Sequence, residues 1–328
     1  MHSLSKTPVC AETAQAIVRA NFGSGAAMRA FHELTDGYFN SAYQIDLEDG
    51  LRCVLKVAPP AEVRVLRYER NIMRAEVEVL RLVMAHTSMP APRVLACDDS
   101  RRIVTSPYFI MDFVPGVPYN KIKKQLAPEQ QRSIEQAAGC YLRQMNEIAG
   151  ASFGYVAAPE PGSSWRTSFA GMMAGVLADG EDMEVALPLP YEALLAGLEA
   201  NYGVLDEATS PRLVHWDLWD GNIFVDQDSR SISGIIDFER ALWGDPLMEC
   251  NFGAFTVSPA FLEGYGRPML GTGSAQRRRS LYNVYLYLIM VIECYYRQYE
   301  THDQENWARP RLDGELSKLG IIPIHVAQ

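Results

Sequence analysis

Apolar and polar residues alternate in two neighbouring stretches of the first third of the chain. The first stretch covers residues 43–47, and the second ends at Val57. Between them lies Asp49-Gly50, a dipeptide typical of two-residue hairpin turns, and a polar turn is predicted before them at residues 36–37. Because alternation at period two is typical of a half-buried strand, these stretches predict a β-hairpin.

Apolar residues recur at helical spacing over residues 67–85 and predict a helix directly after the hairpin. Two further strand-like runs follow at 93–99 and 103–114. The segment VPGVPYN, residues 114–120, predicts a linker because it holds two prolines and a glycine. The remaining predicted helices cover residues 7–20, 128–150, 164–179, 190–208 and 280–300.

These elements divide the chain into two unlike parts. The pattern predicts a small antiparallel sheet with a helix for residues 1–115 and a larger, mainly helical region for residues 116–328. The length of 328 residues also favours two domains or lobes over one compact core. The predicted fold class is therefore α+β with two lobes.

Composition places the chain among soluble globular proteins, with 48% apolar and 21% charged residues. The N-terminus lacks the apolar segment and cleavage site of a secretory signal, so we predict a cytoplasmic protein. The most apolar stretch, residues 281–296, contains Asn283 and Glu293 and is shorter than the ~20 residues that cross a bilayer. It predicts a buried helix rather than a membrane contact. The six cysteines are scattered without CxxC pairs, which predicts free thiols and no zinc site.

The formal net charge is −10, and all of the excess acid lies after residue 115. Residues 1–115 hold 13 basic and 13 acidic side chains, whereas the remainder holds 17 and 27. Such a surface disfavours nucleic acid as a partner and attracts a cationic small molecule. Acidity that serves solubility alone is the other interpretation.

The segment LVHWDLWDGNIFVD, residues 213–226, places His215, Asp217 and Asn222 in the pattern HxDxxxxN. Asp237 follows fifteen residues after Asn222, directly after an apolar strand-like run. A carboxylate at the end of a buried strand is costly unless it is paired or binds a metal, and carboxylate and amide oxygens suit Mg²⁺. The pattern is typical of phosphoryl transfer, which needs a metal, in-line positioning and a carboxylate that orients the attacking hydroxyl.

Transfer from a nucleotide also needs a cation that holds the phosphates. Lys56 stands among apolar neighbours in the second strand of the hairpin, and Glu76 lies in the helix that follows. Taken singly, a strand lysine and a helix glutamate are ordinary exposed residues. Their order before the HxDxxxxN segment favours an ion pair at the nucleotide phosphates.

The chain resembles the aminoglycoside phosphotransferase family, a group of small-molecule kinases with a protein-kinase-like fold. The resemblance rests on HxDxxxxN at 215–222, on an Ile-Asp-aromatic triplet at 236–238 and on Gly-Asp-Pro at 244–246. The protein-kinase signature itself fits less well, because Trp216 and Glu239 stand where that signature has arginine and glycine. The resemblance implies a two-lobe protein-kinase-like fold, with ATP or GTP and Mg²⁺ as cofactors.

By position, the resemblance implies that Asp217 is the catalytic base or the carboxylate that orients the hydroxyl. It implies Asn222 and Asp237 as Mg²⁺ ligands, and His215 as a residue that braces the loop rather than an acid or base. The positions implied to bind the nucleotide are Lys56 with Glu76 as its partner, Ser41 in the turn that covers the phosphates, and the backbone from Asp112 to Val114.

The acceptor implied by this resemblance is a hydroxyl-bearing small molecule. The acidic C-terminal part favours a cationic acceptor of the aminoglycoside type. The candidates for contacts to its amines are Asp220, Glu239 and the acidic residues Glu181, Asp182 and Glu184. Asp220 also fits a purely local role, as the residue that starts the turn before Gly221.

Other acceptors and another class of protein stay open at this level. A macrolide would need a wide apolar pocket, and choline-like and homoserine-like molecules are further candidates. The residues that either line such a pocket or pack in the core are Met172, Met173, Leu177, Tyr285, Trp216 and Trp219. A non-catalytic nucleotide-binding module is the alternative class, disfavoured because the lysine, the two aspartates and the asparagine of the pattern are all present. The sequence does not choose between ATP and GTP and gives no oligomeric state.

Overall fold

The computed structural model describes residues 6–35, 37, 39–158, 164–255, 258–266, 271 and 273–322. Its N-terminal part is built on an antiparallel sheet with the strands β1 (Met28–Leu34), β2 (Ser41–Leu47), β3 (Arg52–Val57), β4 (Val94–Asp98) and β5 (Tyr108–Asp112). Their order in the sheet is β1-β2-β3-β5-β4. The predicted hairpin is formed by β2 and β3, which pair from Ser41 with Val57 to Asp46 with Arg52. The predicted turn residue Asp36 lies outside the described residues.

Two helices cover the two faces of this sheet, α1 (Ala11–Phe22) and α2 (Ile72–His86). Successive residues of β3 divide between them: Leu55 shares a core with Ile17 of α1, whereas Val54 shares another core with Leu80 of α2. Successive side chains of a strand point to opposite faces, so a sheet covered on both sides needs apolar residues at adjacent positions. As a result, α2 packs on the strand that carries Lys56.

The rest of the chain is mainly helical, and the mixed architecture confirms the predicted α+β class. Its helices are α3 (Tyr119–Ile122), α4 (Pro128–Glu147), α5 (Trp165–Asp182), α6 (Tyr191–Glu199), α7 (Pro259–Tyr265), α8 (Gly273–Arg297) and α9 (Asp303–Lys318). Its short strands are β6 (Val117–Pro118), β7 (Gly154–Tyr155), β8 (Arg212–Val214), β9 (Ile223–Val225), β10 (Ile232–Ile235) and β11 (Leu242–Gly244). They form two small sheets, in the orders β10-β9-β6 and β7-β11-β8.

One hydrophobic core joins the sheet to the helical region, because Val83 of α2 and Leu142 of α4 both belong to it. Another core lies among the C-terminal helices and includes Phe169 of α5 and Leu288 of α8. The apolar stretch 281–296 is therefore a buried helix, as predicted. Across the ranges that the structure describes, no helix combines the length and the apolar character that a membrane span needs. The lobe boundary at residue 115 stays a prediction.

Several elements depart from the predicted pattern: it does not include α7, the helix predicted at 190–208 ends at Glu199 as α6, and three further departures have clear physical reasons. The pattern misses β1, an edge strand whose side chains are half-buried or exposed, because such a strand shows no clear alternation. It also misses α9, whose sequence contains Pro310 and Gly314, both poor helix formers; buried Leu312 and Leu316 stabilise this helix in the C-terminal core. The predicted linker at 114–120 is partly a strand, since β6 pairs with β9.

Candidate active site

The ammonium group of Lys56 lies among three carboxylates. Its Nζ is 2.7 Å from Oε2 of Glu76, 3.0 Å from Oδ1 of Asp237 and 3.9 Å from Oε2 of Glu239. Strand β3 and helix α2 position the first pair, whereas Asp237 comes from a segment 181 residues further along the chain. The structure thus brings together the lysine and the glutamate that the sequence pairs, and it places two carboxylates of the C-terminal part beside them.

The charges of this buried cluster are unbalanced. Burial alone would lower the pKa of the Lys56 ammonium, but Asp237 and Glu76 hold it above its ordinary value. Burial raises the pKa of the Glu239 carboxyl, and the charges of Asp237 and Glu76 raise it further. The three carboxylates offer oxygens that all lie within 4.8 Å of one another. One cation among three carboxylates leaves the cluster able to accept a further cation.

Asn222 and Asp237 are brought together by the short hairpin of β9 and β10. Ile223 pairs with Ile235, and the N–H of Ile236 donates to the carbonyl of Asn222 at 3.0 Å. The residues just outside this pairing, Asn222 and Asp237, therefore lie at the same end of the hairpin. An amide oxygen and a carboxylate at this end form a donor set that suits Mg²⁺.

Asp217 lies on the loop between β8 and β9, beside Asn222. Nδ2 of Asn222 donates to the backbone carbonyl of Asp217 at 2.8 Å and lies 3.4 Å from its Oδ2. The amide nitrogen is thereby directed to Asp217, which leaves the amide oxygen to another partner. Burial raises the pKa of the Asp217 carboxyl to about 7, and the nearby charges of Asp237 and Glu293 act in the same direction.

Glu249 braces this loop from within the core. Its carboxylate accepts hydrogen bonds from the backbone N–H groups of His215 at 2.8 Å and Trp216 at 2.9 Å, and from Nδ2 of Asn146 at 2.9 Å. The His215 ring is buried and packs on Phe238, with ring centroids 4.6 Å apart. Burial lowers the pKa of His215 to about 4, so the imidazole is neutral near pH 7. A neutral, buried ring fits bracing of the loop better than proton exchange.

Replacing Glu249 by alanine should lower the free energy of unfolding by at least about 3 kcal/mol, because three buried N–H donors lose their acceptor. Urea unfolding followed by circular dichroism measures this change. Glu78→Ala is the matched control, since Glu78 is exposed on α2, and it should stay within about 0.5 kcal/mol of the parent protein. Equal stability of the two variants would show that Glu249 does not hold the loop.

Two non-glycine residues of the site have left-handed backbone conformations, Trp216 with φ 63° and Asp237 with φ 69°. This conformation is unfavourable for a residue with a β-carbon. Surrounding bonds hold both residues in place: the N–H of Trp216 donates to Glu249, and the carboxylate of Asp237 bonds Lys56. Such strained backbone is concentrated at functional sites of proteins.

A buried ionic network adjoins Asp217. Nη2 of Arg240 is 3.1 Å from Oε2 of Glu293 on α8, and Nη2 of Arg297 is 3.1 Å from the same oxygen. Arg297 also pairs with Glu69 of the N-terminal part. The charge of Arg240 opposes the effect of burial on the pKa of Asp217. Sequence reasoning misses this network; its one signal is the acidic Glu293 inside a strongly apolar helix.

The turn before β2 contacts the C-terminal part through Phe39 and Asn40. Nδ2 of Asn40 donates to Oε2 of Glu239 at 2.6 Å, and the guanidinium of Arg297 lies 5.4 Å from the centroid of the Phe39 ring. Oδ1 of Asn40 and Oγ of Ser41 are buried without a hydrogen-bond partner in the described ranges. Buried polar atoms seldom stay unpaired, so these atoms are available to a ligand. Ser41 lies at the start of β2, where the resemblance places a phosphate contact.

The backbone predicted to bind the purine follows β5. The N–H of Asp112 donates to the carbonyl of Arg93 at 3.0 Å, and the Asp112 carboxylate accepts two hydrogen bonds from the guanidinium of Arg93. The side chain of Val114 lies against Gly234, where an added β-carbon would come within 2.4 Å of it. The Asp112 amide is therefore already satisfied, which narrows the predicted purine contacts to Val114 and to the carbonyl groups of this segment.

Three of the acidic residues predicted to contact a cationic acceptor, Asp220, Asp182 and Glu239, have basic partners. Oδ2 of Asp220 is 2.9 Å from Nζ of Lys123, and Asp182 lies between two arginines at 2.9 and 3.0 Å. Glu239 belongs to the cluster around Lys56. The positive charges of these partners neutralise much of the negative charge of the side chains that are expected to bind the acceptor.

The apolar residues considered for a pocket separate into two groups. Met173, Leu177 and Tyr285 are buried core residues. Trp216 is also buried and stacks on Tyr285, with ring centroids 5.4 Å apart. Trp219 differs, because its side chain is 44% exposed and lines a cavity.

Similar proteins agree with this geometry at the level of family and fold. The model of the phosphotransferase enzyme family matches residues 30–278. Among curated proteins, the chain is 25% identical over 220 residues to the protein named probable acyl-CoA dehydrogenase IBR3 of Arabidopsis thaliana. This match covers 65% of the chain but 26% of that protein, so the chain spans about a quarter of the length of this curated relative.

Solved structures share the fold at low sequence identity. A thermostable mutant of aminoglycoside phosphotransferase APH(4)-Ia, in ternary complex with AMP-PNP and hygromycin B, has a TM-score of 0.65 at 18% identity, covering 94% of this chain and 99% of that one. The streptomycin-ATP-APH(2")-IIa complex has a TM-score of 0.59 at 17% identity, with coverages of 96% and 97%. A fructosamine-3-kinase candidate from Thermobifida fusca has a TM-score of 0.64 at 19% identity, with coverages of 92% and 98%. Since the family model spans most of the chain and the segment from Lys56 to Asp237, the protein belongs to the phosphotransferase enzyme family.

Proposed function

We propose that this protein transfers the γ-phosphate of ATP or GTP to a hydroxyl of a small molecule, with Mg²⁺ as cofactor. One observation carries the proposal: Lys56 is held between Glu76 and Asp237, next to the hairpin that sets Asn222 beside Asp237. These are the groups that phosphoryl transfer needs for the phosphates and the metal. Residues 1–115 are then the nucleotide-binding lobe, and residues 116–328 are the catalytic and acceptor-binding lobe.

The nucleotide is held mainly by the N-terminal lobe. The ammonium of Lys56 contacts the phosphates, and Glu76 keeps it in position from α2. The unpaired Oγ of Ser41 donates a hydrogen bond to a phosphate oxygen. The backbone around Val114 contacts the purine.

The C-terminal lobe provides the metal ligands and the base. Asn222 and Asp237 would hold Mg²⁺ through the hard oxygen atoms that it prefers, and a bound Mg²⁺ would supply positive charge next to the phosphoryl group. Asp217 orients the acceptor hydroxyl and accepts its proton as the new P–O bond forms and the bond to the leaving nucleotide oxygen breaks. The hydrogen bond from Asn222 fixes Asp217 for this step.

The value of kcat/KM should rise about tenfold from about pH 6 to pH 8, because only the ionised Asp217 carboxylate accepts a proton and its pKa is raised to about 7. The active fraction is thus lost as the pH falls through 7. Steady-state rates at constant ionic strength give the profile. The residual rate of Asp217→Asn should lack this rise, which separates Asp217 from ionisation of the nucleotide. A flat parent profile would contradict the assignment of Asp217 as the base.

An aminoglycoside-type antibiotic is the first acceptor class to test. The acidic C-terminal part supports it, and two solved structures of this fold are described as complexes with hygromycin B and with streptomycin. The basic partners of Asp220 and Asp182 weigh against a highly charged acceptor. Macrolides, choline-like and homoserine-like acceptors therefore remain in the proposal, beside a non-catalytic nucleotide-binding module.

The deciding experiment measures ADP or GDP release by the purified protein with Mg²⁺. The acceptor panel contains kanamycin, erythromycin, choline, homoserine and a hydroxyacyl-CoA, the last because the curated relative is named an acyl-CoA dehydrogenase. Acceptor-dependent release, with a phosphorylated product in the mass spectrum, would establish the transferase. If the protein binds the nucleotide but releases no ADP or GDP with all members of a broadened acceptor panel, the non-catalytic binding module is favoured instead.

A further inference from the structure

A cavity of about 430 Å³ lies beside the loop that carries Asp217. Its volume is within the range of small-molecule sites, roughly 300–1,000 Å³. The residues that line it and carry the argument are Tyr119, Lys123, Glu135, Trp219, Asp220 and Phe255. They come from helices α3 and α4 and from the segments next to β9 and α7. This cavity is separate from the core of Met173, Leu177 and Tyr285.

Two exposed aromatic side chains form part of its wall. Among the described residues, Trp219 at 44%, Met84 at 41% and Phe255 at 38% are the large apolar side chains with high exposure, and two of these three line the cavity. The Trp219 ring lies over Gly221, where an added β-carbon would come within 2.2 Å of it. Exposed aromatic surface at a concave site marks a ligand with an apolar surface of its own.

The charged groups of the wall are paired with one another. Nζ of Lys123 is 2.9 Å from Oδ2 of Asp220 and 2.9 Å from Oε1 of Glu135. Glu135 also accepts hydrogen bonds from the hydroxyls of Tyr119 and Ser258. One cation and two carboxylates leave a single net negative charge on the wall. Because Lys123 is already paired with both carboxylates, a highly charged ligand would have to compete with these ion pairs, whereas an apolar framework needs no such exchange.

The same loop connects this cavity to the candidate base. The N–H of Trp219 donates to the carbonyl of Asp217 at 3.0 Å, and the N–H of Asn222 donates to the carbonyl of Trp219 at 2.9 Å. Asp220 and Asn222 belong to one 3-10 turn. The cavity wall, the base and the metal ligand are therefore parts of one hydrogen-bonded segment. Trp219 lies two residues after Asp217 in the sequence and is hydrogen-bonded to it through the backbone.

We propose that this cavity binds the apolar body of the acceptor, which is a hydroxylated molecule with an aromatic or aliphatic framework and at most one positive charge. Trp219 and Phe255 pack on that framework, and the acceptor hydroxyl extends to Asp217. This inference rests on the proposed phosphoryl transfer and specifies its substrate class. It favours uncharged acceptors over polyamine antibiotics.

Binding of naphthylethanol, an uncharged aromatic alcohol, tests the cavity directly through the fluorescence of the naphthyl ring. Trp219→Ala should raise its Kd about tenfold or more, since the variant removes a large part of the aromatic contact. Met84→Ala is the matched control, because it removes an equally exposed apolar side chain on α2, and it should leave the Kd unchanged. Phe255→Ala provides a second wall variant, and thermal unfolding verifies that each variant folds. An unchanged Kd in both wall variants would overturn the inference.

The acceptor panel and a nucleotide titration separate this inference from the proposed function. Stabilisation of the protein by ATP or GTP with Mg²⁺ tests the transferase on the same samples. One outcome would overturn the inference and keep the transferase. In that outcome the protein binds the nucleotide and phosphorylates kanamycin, and the KM for kanamycin is the same in Trp219→Ala as in the parent. Naphthylethanol binding that depends on Trp219, without any nucleotide binding, would refute the transferase while keeping the cavity as a ligand site. A raised KM for an uncharged acceptor in Trp219→Ala, with kcat changed less, is the expected result.

Discussion

Asp217→Asn should lower kcat by about a hundredfold to ten-thousandfold, the range that a positioned general base contributes. Asparagine keeps the shape of the side chain but cannot accept the proton of the acceptor hydroxyl. The protein should stay as stable as the parent or become more stable, because burial of the ionised carboxylate is unfavourable, as its raised pKa indicates. Loss of turnover together with retained stability is the combination expected for a functional carboxylate.

Single-turnover rates and urea unfolding measure both parts of this result. Asp228→Asn is the matched control, since Asp228 is exposed on the turn between β9 and β10 and should leave kcat unchanged. Nucleotide affinity should also be retained, because Asp217 lies on the acceptor side of the proposed reaction. A variant with parental kcat would remove Asp217 from the mechanism, and a variant that fails to fold would make it a structural residue.

Lys56→Met should reduce turnover by about a hundredfold to a thousandfold, the usual effect of removing one preorganised group that stabilises charge. It should also lower the free energy of unfolding by about 3 kcal/mol near pH 8, because three buried carboxylates lose their shared cation. The difference in the free energy of unfolding between Lys56→Met and the parent protein should shrink near pH 5. Without Lys56 the carboxyl pKa values rise, so protonation at lower pH removes the repulsion.

Steady-state turnover and urea unfolding at both pH values measure these effects, and nucleotide titration by calorimetry tests the phosphate contact. Lys124→Met is the control, since this lysine is exposed after α3 and its replacement should leave turnover, stability and nucleotide affinity unchanged. A stability loss that is the same at both pH values would mean that packing, rather than charge, dominates the role of Lys56. Parental affinity for the nucleotide would remove Lys56 from the phosphate contacts.

The sequence predicts those parts of the fold whose signal is local. The β2–β3 hairpin and the buried helix α8 both follow from periodicity and turn chemistry over short windows. Edge strand β1 is held by backbone pairing with β2, which places few demands on its side chains. Helix α9 forms in spite of Pro310, because contacts with the C-terminal core outweigh local propensity. Tertiary contacts of this kind produce no periodic pattern of apolar residues in the sequence.

The residues of the candidate site also divide into those that a local sequence motif identifies and those that only the folded structure brings in. Asp217, Asn222 and Asp237 stand in a spaced motif, so a sequence reader finds them and can assign them chemistry. Glu249 and Arg240 act from positions with no such spacing, and their partners are set by the packing of distant elements. The Asp112 amide shows what spacing does not contain, since its bond to Arg93 depends on the register of β4 and β5. The spacing of a motif identifies residues that act together in a reaction. Only the folded structure shows which of their groups already have hydrogen-bond partners.

The network of Arg240, Glu293, Arg297 and Glu69 has a consequence for how such a sequence drifts over evolutionary time. Replacing one member leaves a buried charge uncompensated, at a cost of about 3–5 kcal/mol, a large fraction of the stability of an ordinary domain. Accepted changes at these positions must therefore occur in pairs or larger sets. The four positions should covary among related sequences, even though they are up to 228 residues apart in the chain.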